Sequence, residues 1–448
     1  MTTLLLSQIF STTHPSPQRI CHDGEQYIAY DTLREHIAAL SVAYRAQPEK
    51  RWLLAEPSPL PFLVRLFALW HAGKEVVIPP NFQAGTIHSM QRASMNNASS
   101  ILPVNDTPTL PPLDSEQCHL HLYTSGTTGN PKIISKTLAH FEREIAILEQ
   151  LWGAQIGAAS VVASVPHHHI YGLLFRLLWP LARGRIFDCA TATLPDHLLQ
   201  RSILLGDCIL VSSPAQLSRL PALLPLAALS SQVKMIFSSG GPLGHDIAQR
   251  YTQEYGQAPM EIFGSTETGG IAWRQQARDA AWTAFPGMQV SQDDDSALLL
   301  QSPILANETP IRLEDAITIA PDQRFTLQGR LDRIVKLEEK RLSLAAMEQT
   351  LDSHPWVSQS VALVVQRQRQ AIGAVVVLNP SKQDEWQGVS KPEWVRQLRQ
   401  FLAQHYDLVL LPKYWRFVHT LPMNERGKLS LDTIYHLFEE QAAHESLA

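Results

Sequence analysis

Residues 123–132 read Tyr123-Thr-Ser-Gly-Thr-Thr-Gly-Asn-Pro-Lys132 and directly follow an apolar run, Cys118–Tyr123, that is typical of a strand. Glycines let a backbone approach an anion closely, and the N–H groups and hydroxyls of such a turn donate hydrogen bonds to phosphate oxygens. A polar surface turn is the simpler alternative. A P-loop ATPase does not fit, because its signature needs Gly-Lys-Ser/Thr, whereas Pro131 precedes Lys132 and Ile133 follows it.

Strands and helices alternate on both sides of this turn. Helices are predicted over Thr32–Tyr44 and from the capping residue Thr137 to about Trp152. The alternation predicts α/β layers with largely parallel pairing. Further strands are predicted at Trp52–Ala55, Glu75–Ile78, Val161–Val165, Arg185–Cys189, Cys208–Ser212, Val233–Phe237 and Met260–Phe263.

The pattern changes toward the C-terminus. After about Val290 it favours short antiparallel strands such as Ala297–Ser302 and Arg324–Gln328. A small separate α+β domain is predicted to begin near residue 333. Its elements are strands Val361–Val365 and Ala371–Leu378 and helices from Pro392 to about His405 and from Leu431 onward.

Length and composition exclude several classes of protein. A chain of 448 residues is expected to form two or three domains. The net charge is -5 and no long basic run occurs, so no nucleic-acid partner is expected. We also expect a cytoplasmic protein without a membrane partner. Its four cysteines form no CxxC pair, the N-terminus does not resemble a signal peptide, and no apolar stretch is long enough to span a bilayer.

Two later segments carry chemistry of their own. Phe263-Gly-Ser-Thr-Glu-Thr-Gly269 places an aromatic ring, small residues and a carboxylate at the end of a predicted strand. The ring could stack on a base, and the carboxylate could hold Mg²⁺ beside phosphates. The alternative is a helix N-cap. Ser238-Ser-Gly-Gly-Pro-Leu243 is a glycine turn that would let a flat group lie against the backbone.

Together with Gly329-Arg-Leu-Asp-Arg333 and Leu421-Pro-Met-Asn-Glu-Arg-Gly-Lys428, these motifs resemble the adenylate-forming superfamily. That superfamily includes acyl-CoA synthetases, aryl-CoA ligases, peptide-synthetase adenylation domains and luciferases. The resemblance implies a large multilayer α/β domain over residues 1–331, a small mobile α+β lid over 333–448 and a hinge at Asp332. It also implies a ligase that adenylates a carboxylate with ATP and Mg²⁺ and then transfers the acyl group to a thiol.

The resemblance assigns roles to individual residues. Lys428 would stabilise developing charge, Thr266 would lie near the α-phosphate, and Glu267 would hold Mg²⁺ together with Thr128. Asp315 would bind the ribose; its context is Leu313-Glu-Asp315 where the family has Thr-Gly-Asp, so Glu314 is the alternative. The remaining ATP-binding residues would be Thr124, Ser125, Gly126, Thr127, Gly129, Lys132, Gly240, Gly241, Phe263, Gly264, Arg330 and Arg341.

The acyl pocket is expected beside the segment that contains His167–His169. Three consecutive histidines on a strand point in different directions, so they are not expected to bind one metal ion. His169 and Tyr171 could frame a flat ring, which favours an aromatic acid such as a hydroxybenzoate or cinnamate over a fatty acid. By resemblance, the pocket would be lined by His169, Tyr171, Gly172, Ser212, Ser213 and Ile271.

The thiol acceptor is left open by one departure from the family pattern. Glu339 stands three residues after Lys336, where the family has glycine at the thiol entrance. The acceptor could therefore be CoA or the phosphopantetheine of an acyl carrier protein. An acyl-AMP ligase that does not use free CoA is a further candidate, and so is a nucleotide-binding protein without catalysis.

Overall fold

The computed structural model describes most of the chain. The described residues are 5–11, 19–92, 95–106, 108–124, 132–276, 278–337, 340–366, 370–380, 389–422, 429 and 433–438. Several predicted functional residues lie outside them, namely Ser125, Gly126, Thr127, Thr128, Gly129, Glu339 and Lys428. The side chains of Thr124, Asp332, Lys336 and Arg341 are likewise not described.

The chain forms two compact units. Unit 1 comprises Met1–Gln289 and Gln301–Thr309, and unit 2 comprises Val290–Leu300 and Pro310–Ala448. The antiparallel strands after Val290 therefore group mainly with the C-terminal part. The predicted hinge at Asp332 concerns motion between domains, and it remains a prediction.

The helices of unit 1 alternate with strands as the sequence predicted. They are α1 Tyr30–Arg45, α2 Pro59–His71, α3 Ala84–Arg92, α4 Leu138–Ile156, α5 Ile170–Gly172, α6 Trp179–Ala182, α7 Pro195–Leu205, α8 Pro214–Leu223 and α9 His245–Glu254. A π-helical segment, Leu173–Leu178, joins α5 to α6, and 3-10 turns occur at Ala98–Ser100 and Leu226–Leu229. Among the described residues, no helix combines the length and apolarity needed to cross a lipid bilayer.

The strands of unit 1 form two sheets. They are β1 Arg19–His22, β2 Tyr27–Ala29, β3 Arg51–Leu53, β4 Glu75–Ile78, β5 Asn96–Asn97, β6 His119–Thr124, β7 Lys132–Thr137, β8 Ser160–Ala163, β9 Phe187–Thr191, β10 Cys208–Ser212, β11 Val233–Ser239, β12 Met260–Ser265, β13 Gly269–Arg274 and β14 Thr283–Ala284. One sheet has the order β14-β13-β12-β11-β10-β8-β9-β1-β2, and the other has the order β5-β3-β4-β6-β7.

The centre of the nine-stranded sheet is parallel. β8 pairs in parallel with β9 and β10, and β10, β11 and β12 continue the parallel series. Their apolar side chains are almost fully buried, as expected for a sheet covered on both faces. The carboxyl ends of these strands therefore meet at one edge of the sheet.

Unit 2 consists mainly of small antiparallel sheets. Its strands are β15 Gln289–Gln292, β16 Ala297–Gln301, β17 Ile311–Ile319, β18 Phe325–Arg330, β19 Ile334–Leu337, β20 Lys340–Ser343, β21 Val357–Gln366, β22 Gln370–Leu378 and β23 Tyr414–Val418. Its helices are α10 Leu344–Asp352 and α11 Lys391–Leu402, with 3-10 turns at Leu331–Arg333 and Leu408–Leu410. Residues 433–438 are also helical. The predicted α/β class with α+β elements near the C-terminus is confirmed.

Candidate active site

Four adjacent parallel strands deliver predicted site residues at their carboxyl ends. β12, β11, β10 and β8 lie side by side in that order. Ser212 at the end of β10 is in register with Ser238 of β11, and Ser239 is in register with Ile262 of β12. Ligands of open α/β sheets bind outside the carboxyl ends of the strands. The sheet therefore brings the predicted adenine, magnesium and acyl-pocket segments of unit 1 to one edge.

The magnesium segment forms a tight turn between β12 and β13. Within it, Ser265 N donates to Thr268 Oγ1 at 3.1 Å and Thr268 N donates to Ser265 Oγ at 3.2 Å. Gly269 has φ +73°, which favours glycine. A Cβ added to Gly264 would lie 2.2 Å from the Gly269 oxygen, so glycine is also required there. The alternative of a helix N-cap is wrong, because the chain turns back into the antiparallel strand β13.

Glu267 lies at the top of this turn. Its side chain is 43% exposed, and its Oε1 lies 4.0 Å from Lys132 Nζ at the start of β7. A carboxylate and an ammonium with this exposure are available to a polyanionic ligand and its cation. The structure thus brings together Lys132 and Glu267, which lie far apart in the sequence.

The glycine turn after β11 leaves open space beside the backbone. Gly240 has φ +93°, and a Cβ added there would meet no atom within 4 Å. At Gly241 an added Cβ would meet only Pro214 Cγ, at 4.0 Å. This geometry is suitable for a flat group that lies against the strand end. Phe263, at the end of β12, is partly buried, and its ring centroid lies 5.5 Å from that of Trp282.

The histidine segment is a turn, and the prediction that it is a strand is wrong. β8 already ends at Ala163, the histidines follow Pro166 in a turn, and α5 begins at Ile170. His167 is buried, and its Nε2 lies 3.0 Å from the Glu56 carbonyl. Burial, together with the nearby Arg176 charge, lowers the pKa of His167 to about 3, so this ring is neutral at pH 7.

The two other histidines of this turn stack with neighbouring rings. The His168 ring centroid lies 4.2 Å from that of His169 and 4.3 Å from that of Phe82. Gly172 is held tightly, because a Cβ there would lie 2.0 Å from the Pro166 oxygen. His169 is thus fixed on a compact turn at the end of β8.

Two hydroxyl groups at this sheet edge are buried. Among the described residues, the hydroxyl oxygens of Tyr171 and Ser238 have no hydrogen-bond partner of normal geometry. Burial raises the pKa of Tyr171 well above its ordinary value, and the nearby Ser212 backbone only partly offsets this. Buried hydroxyls usually bind a partner, so these two are available to a ligand.

The remaining predicted pocket residues have structural contacts. Ser212 is fully buried, and its Oγ lies 2.8 Å from Ser164 Oγ. Ser213 caps α8 by accepting a hydrogen bond from Gln216 N at 3.4 Å. Ile271 is 1% exposed, and its carbonyl accepts a hydrogen bond from Phe285 N at 2.8 Å.

Arg176 is a buried residue that links two strand ends on the side of the sheet where the acyl pocket is predicted. It lies in the π-helical segment and is fully buried. Its NH1 donates to the Val165 carbonyl at 3.0 Å and to Thr191 Oγ1 at 2.9 Å. Its NH2 donates to the carbonyls of Cys189 and Ala190, at 2.8 Å and 2.9 Å. Although burial lowers its pKa to about 10, the guanidinium remains charged at pH 7 and joins the ends of β8 and β9.

In unit 2, the predicted ribose residue faces a predicted nucleotide residue. Asp315 of β17 is the register partner of Arg330 at the end of β18. Strand alternation turns the neighbouring Glu314 to the opposite face, where its Oε1 lies 3.4 Å from Arg312 NH1. Asp315 and Glu314 therefore lie on opposite faces of β17.

The sequence analysis missed two buried charged residues beneath the magnesium turn. Lys136 of β7 is 2% exposed, and Glu144 of α4 is 4% exposed. The Lys136 ammonium donates to the Glu267 carbonyl, and Glu144 Oε1 accepts from Gly270 N at 2.7 Å. The alternating burial of β7 places Lys136 inward, and this alternation is the signal that could have identified it.

Known proteins match both the sequence and the fold. Residues 74–293 match the family model of the AMP-binding enzymes. The 4-coumarate–CoA ligase of Cereibacter sphaeroides is 29% identical over 314 residues, covering 68% of this chain and 69% of that protein. The 4-coumarate–CoA ligase of Rhodobacter capsulatus is 28% identical over 315 residues, covering 70% and 75%. The ATP-bound crystal structure of MatB from Rhodopseudomonas palustris has a TM-score of 0.81, with 16% identity, covering 98% and 99%.

The chain is therefore an adenylate-forming enzyme that contains an AMP-binding domain, as its motifs predicted. Within this class it is an AMP-forming ligase that joins a carboxylic acid to a thiol.

Proposed function

We propose that the protein activates a hydroxylated aromatic carboxylic acid with MgATP and transfers the acyl group to the thiol of CoA. The observation that carries this proposal is the sheet edge of unit 1, where Glu267, the glycine turn at Gly240 and the hydroxyls of Tyr171 and Ser238 lie at or after the carboxyl ends of β12, β11 and β8. Among the described residues, these two buried hydroxyls have no hydrogen-bond partner of normal geometry. A phosphate-facing carboxylate and a polar acyl pocket at one edge suit the joining of an acid to a nucleotide.

The first step forms an acyl adenylate. The substrate carboxylate oxygen attacks the α-phosphorus of ATP, the bond to the β-phosphate oxygen breaks, and pyrophosphate leaves. The contribution of the protein is positioning and charge neutralisation. Residues 125–129 and Lys132 bind the phosphates, Thr266 lies near the α-phosphate, and Lys428 balances the developing negative charge.

The nucleotide roles extend over several segments. Gly240, Gly241 and Gly264 provide flat backbone against adenine, beside Phe263. Thr124 supports the phosphate loop. In unit 2, Asp315 binds the ribose, and Arg330 and Arg341 contact the nucleotide. The alternative of Glu314 is less suitable, because its side chain is on the other face of β17 and contacts Arg312.

A magnesium ion fits the residues at this turn. Glu267 offers an exposed carboxylate, and Mg²⁺ prefers carboxylate and phosphate oxygens together. Glu267 and Thr128 would hold the ion, which would neutralise phosphate charge when bound.

The acid is proposed to be aromatic and to carry a hydroxyl group. His169 ends the compact turn after β8 and Tyr171 lies in the adjoining α5, and a ring could stack between such side chains. A substrate hydroxyl could hydrogen-bond with the Tyr171 or Ser238 hydroxyl, for which the described part of the chain provides no partner of normal geometry. The 4-coumarate–CoA ligases that this chain resembles are named after an acid of this kind. Gly172, Ser212, Ser213 and Ile271 support the pocket.

The second step transfers the acyl group to sulfur. The thiol attacks the acyl carbonyl and loses its proton, the bond between the acyl carbon and the phosphate oxygen breaks, and AMP leaves. Asp332 is the proposed hinge for the change between the two steps, and Glu339 is the proposed thiol entrance. An acyl carrier protein is the alternative acceptor.

A substrate panel tests the proposal. Pyrophosphate release is measured with 4-coumarate, 4-hydroxybenzoate, benzoate and a medium-chain fatty acid, and thioester formation is measured with CoA and with a phosphopantetheinylated carrier protein. Hydroxylated aromatic acids should give the highest kcat/KM, and CoA should be acylated. Higher activity with the fatty acid would contradict the proposed acid, and acylation of the carrier protein alone would contradict the proposed acceptor.

A further inference from the structure

Lys136 occupies a position that strand geometry would give to an apolar residue. In β7, Ile134 and Lys136 face inward, whereas Ile133 is exposed. The Lys136 side chain is 2% exposed, and its ammonium donates a hydrogen bond to the Glu267 carbonyl. Removing an ammonium from water is costly, so a buried lysine requires a specific compensation.

Glu144 is the second buried charge below the turn. Its Oε1 accepts a hydrogen bond from Gly270 N at 2.7 Å. A Cβ added to Gly269 would lie 2.6 Å from Glu144 Oε2, so the carboxylate is packed directly against the turn. Burial raises the pKa of Glu144 to about 7, while the Gly270 hydrogen bond and the Lys136 charge oppose that rise. Each of the two charges thus lowers the cost of burying the other.

The two side chains hold both ends of one short segment. Lys136 binds the carbonyl of Glu267, and Glu144 binds the N–H of Gly270. Between these points, Thr268 is fully buried and hydrogen-bonds with Ser265. The Glu267 carboxylate is exposed above the segment and is carried by a backbone that is fixed from below.

We propose that Lys136 and Glu144 are positioning residues that hold the Glu267–Gly270 turn in the geometry required for binding MgATP. This inference rests on the proposed function. Apolar side chains of similar volume would usually stabilise a core as well as a buried charged pair does. Two buried charges that both bind the turn backbone are therefore better explained by the placement of Glu267 than by folding alone.

The experiment uses the full-length protein and three variants. Lys136→Met removes the donor to Glu267, and Glu144→Leu removes the acceptor for Gly270. Glu149→Gln is the matched control: Glu149 lies on the same helix α4 and pairs with Arg185 at 2.8 Å, on contacts that do not include the turn. The measurements are ATP affinity by calorimetry with Mg²⁺ and with EDTA, hydrogen exchange of the peptide that covers the turn, and thermal unfolding.

Both turn variants should weaken ATP binding in Mg²⁺ by about tenfold, equivalent to one charge-assisted contact. Affinity in EDTA should remain within about twofold, and exchange at the turn should rise at least about fivefold. In pyrophosphate release, kcat should fall about 10- to 100-fold because Glu267 is misplaced. The Glu149→Gln variant should match the wild type in ATP affinity, turn exchange and kcat, while its thermal stability should fall because Arg185 loses its charged partner.

Several outcomes would overturn the inference. The first is that both turn variants bind MgATP as tightly as the wild type. The second is that their ATP affinity falls equally in Mg²⁺ and in EDTA. The third is that Glu149→Gln loses as much MgATP affinity as they do. If Glu144→Leu does not fold, Lys136→Met alone decides, because methionine is an accepted core residue. The proposed function fails separately if the wild-type protein shows no Mg²⁺-dependent ATP binding. In that case unchanged hydrogen exchange in the variants would still refute the positioning role.

Discussion

Unit 1 contains two groups of buried charges that are built in opposite ways. Asp188 of β9 and Arg201 of α7 neutralise each other directly, through hydrogen bonds of 2.6 Å and 2.7 Å. Lys136 and Glu144 instead direct their hydrogen bonds to the backbone of one turn. The first group is a direct ion pair, to which His22 Nδ1 adds a contact of 2.9 Å with Arg201 NH2. The second group fixes a segment that carries an exposed carboxylate.

The difference separates stability from function. A closed ion pair between a strand and a helix fixes how those elements pack, and its loss should be felt mainly in folding. Charges attached to a turn should affect what the turn presents. The following predictions test whether the two effects can be separated.

Removal of Arg201 should have the largest effect. Arg201→Met leaves the Asp188 carboxylate buried without its ion-pair partner, so the free energy of unfolding should fall by about 3–5 kcal/mol. Denaturant unfolding measures this loss, and MgATP affinity of the folded protein should be unchanged. The double variant Asp188→Asn/Arg201→Met should recover much of the stability. If Arg201→Met lowered MgATP affinity without lowering stability, the Asp188–Arg201 pair could not be distinguished from Lys136 and Glu144.

Glu267→Gln should reduce activity strongly and stability little, the reverse of the effect expected for Arg201→Met. The carboxylate is 43% exposed, so stability should change by less than about 0.5 kcal/mol. Pyrophosphate release should fall about 10²–10³-fold, the scale for losing one preorganised electrostatic contact. The Mg²⁺ dependence of kcat, measured beside thermal unfolding, checks both parts. Full activity at ordinary Mg²⁺ concentrations would show that another residue holds the ion.

Glu144→Gln should change the pH dependence of stability. The pKa of Glu144 is raised by burial from 4.5 to about 7, so between these values the folded protein binds a proton that the unfolded chain has lost. This contribution is complete below pH 4.5 and disappears as the pH rises through about 7. The variant should remove up to about 1.4 kcal/mol per pH unit of this decline. Denaturant unfolding at about pH 5–7 gives the free energy of unfolding as a function of pH. The same slope in the wild type and in the variant would contradict this prediction.

Tyr171→Phe should have the smallest effect. Loss of one hydroxyl that binds a substrate hydroxyl should lower kcat/KM for 4-hydroxybenzoate about 3- to 10-fold. The kcat/KM for benzoate should be unchanged or higher, because the hydroxyl that is removed is buried and has no partner of normal geometry among the described residues. An equal loss with both acids would indicate a packing role for the tyrosine.

Much of the scaffold could be predicted from local patterns. Glu75–Ile78 and Cys208–Ser212 are strands with the predicted bounds, because continuous apolar runs between turn residues have few alternatives. Helix α4 begins after Thr137 as predicted, and its first turn is fixed where Thr137 N donates to His140 Nδ1 at 3.1 Å. The motifs also identified the enzyme class, since several occur in one order along the chain.

The remainder depends on tertiary context. Lysine in a sequence is usually a surface residue, so the alternation that places Lys136 on the inward face of β7 is a weak signal, and only the folded structure establishes that Lys136 is buried. The treatment of His167–His169 as strand residues was wrong, because β8 ends at Ala163 and the segment after Pro166 turns so that Gly172 packs against the Pro166 oxygen. Site assignments at residues 125–129, Glu339 and Lys428 lie outside the described residues and remain predictions.

The internal anchoring by Arg176 has a consequence for engineering. Its guanidinium joins the backbone at Val165 to that at Cys189 and Ala190, and none of these contacts uses a pocket side chain. The two strand ends should therefore keep their spacing when His169 or Tyr171 is replaced. A mutant library aimed at new acids could vary these positions freely while Arg176 is held constant. Lysine would be a poor replacement for it, because an ammonium cannot reproduce the planar array of donors.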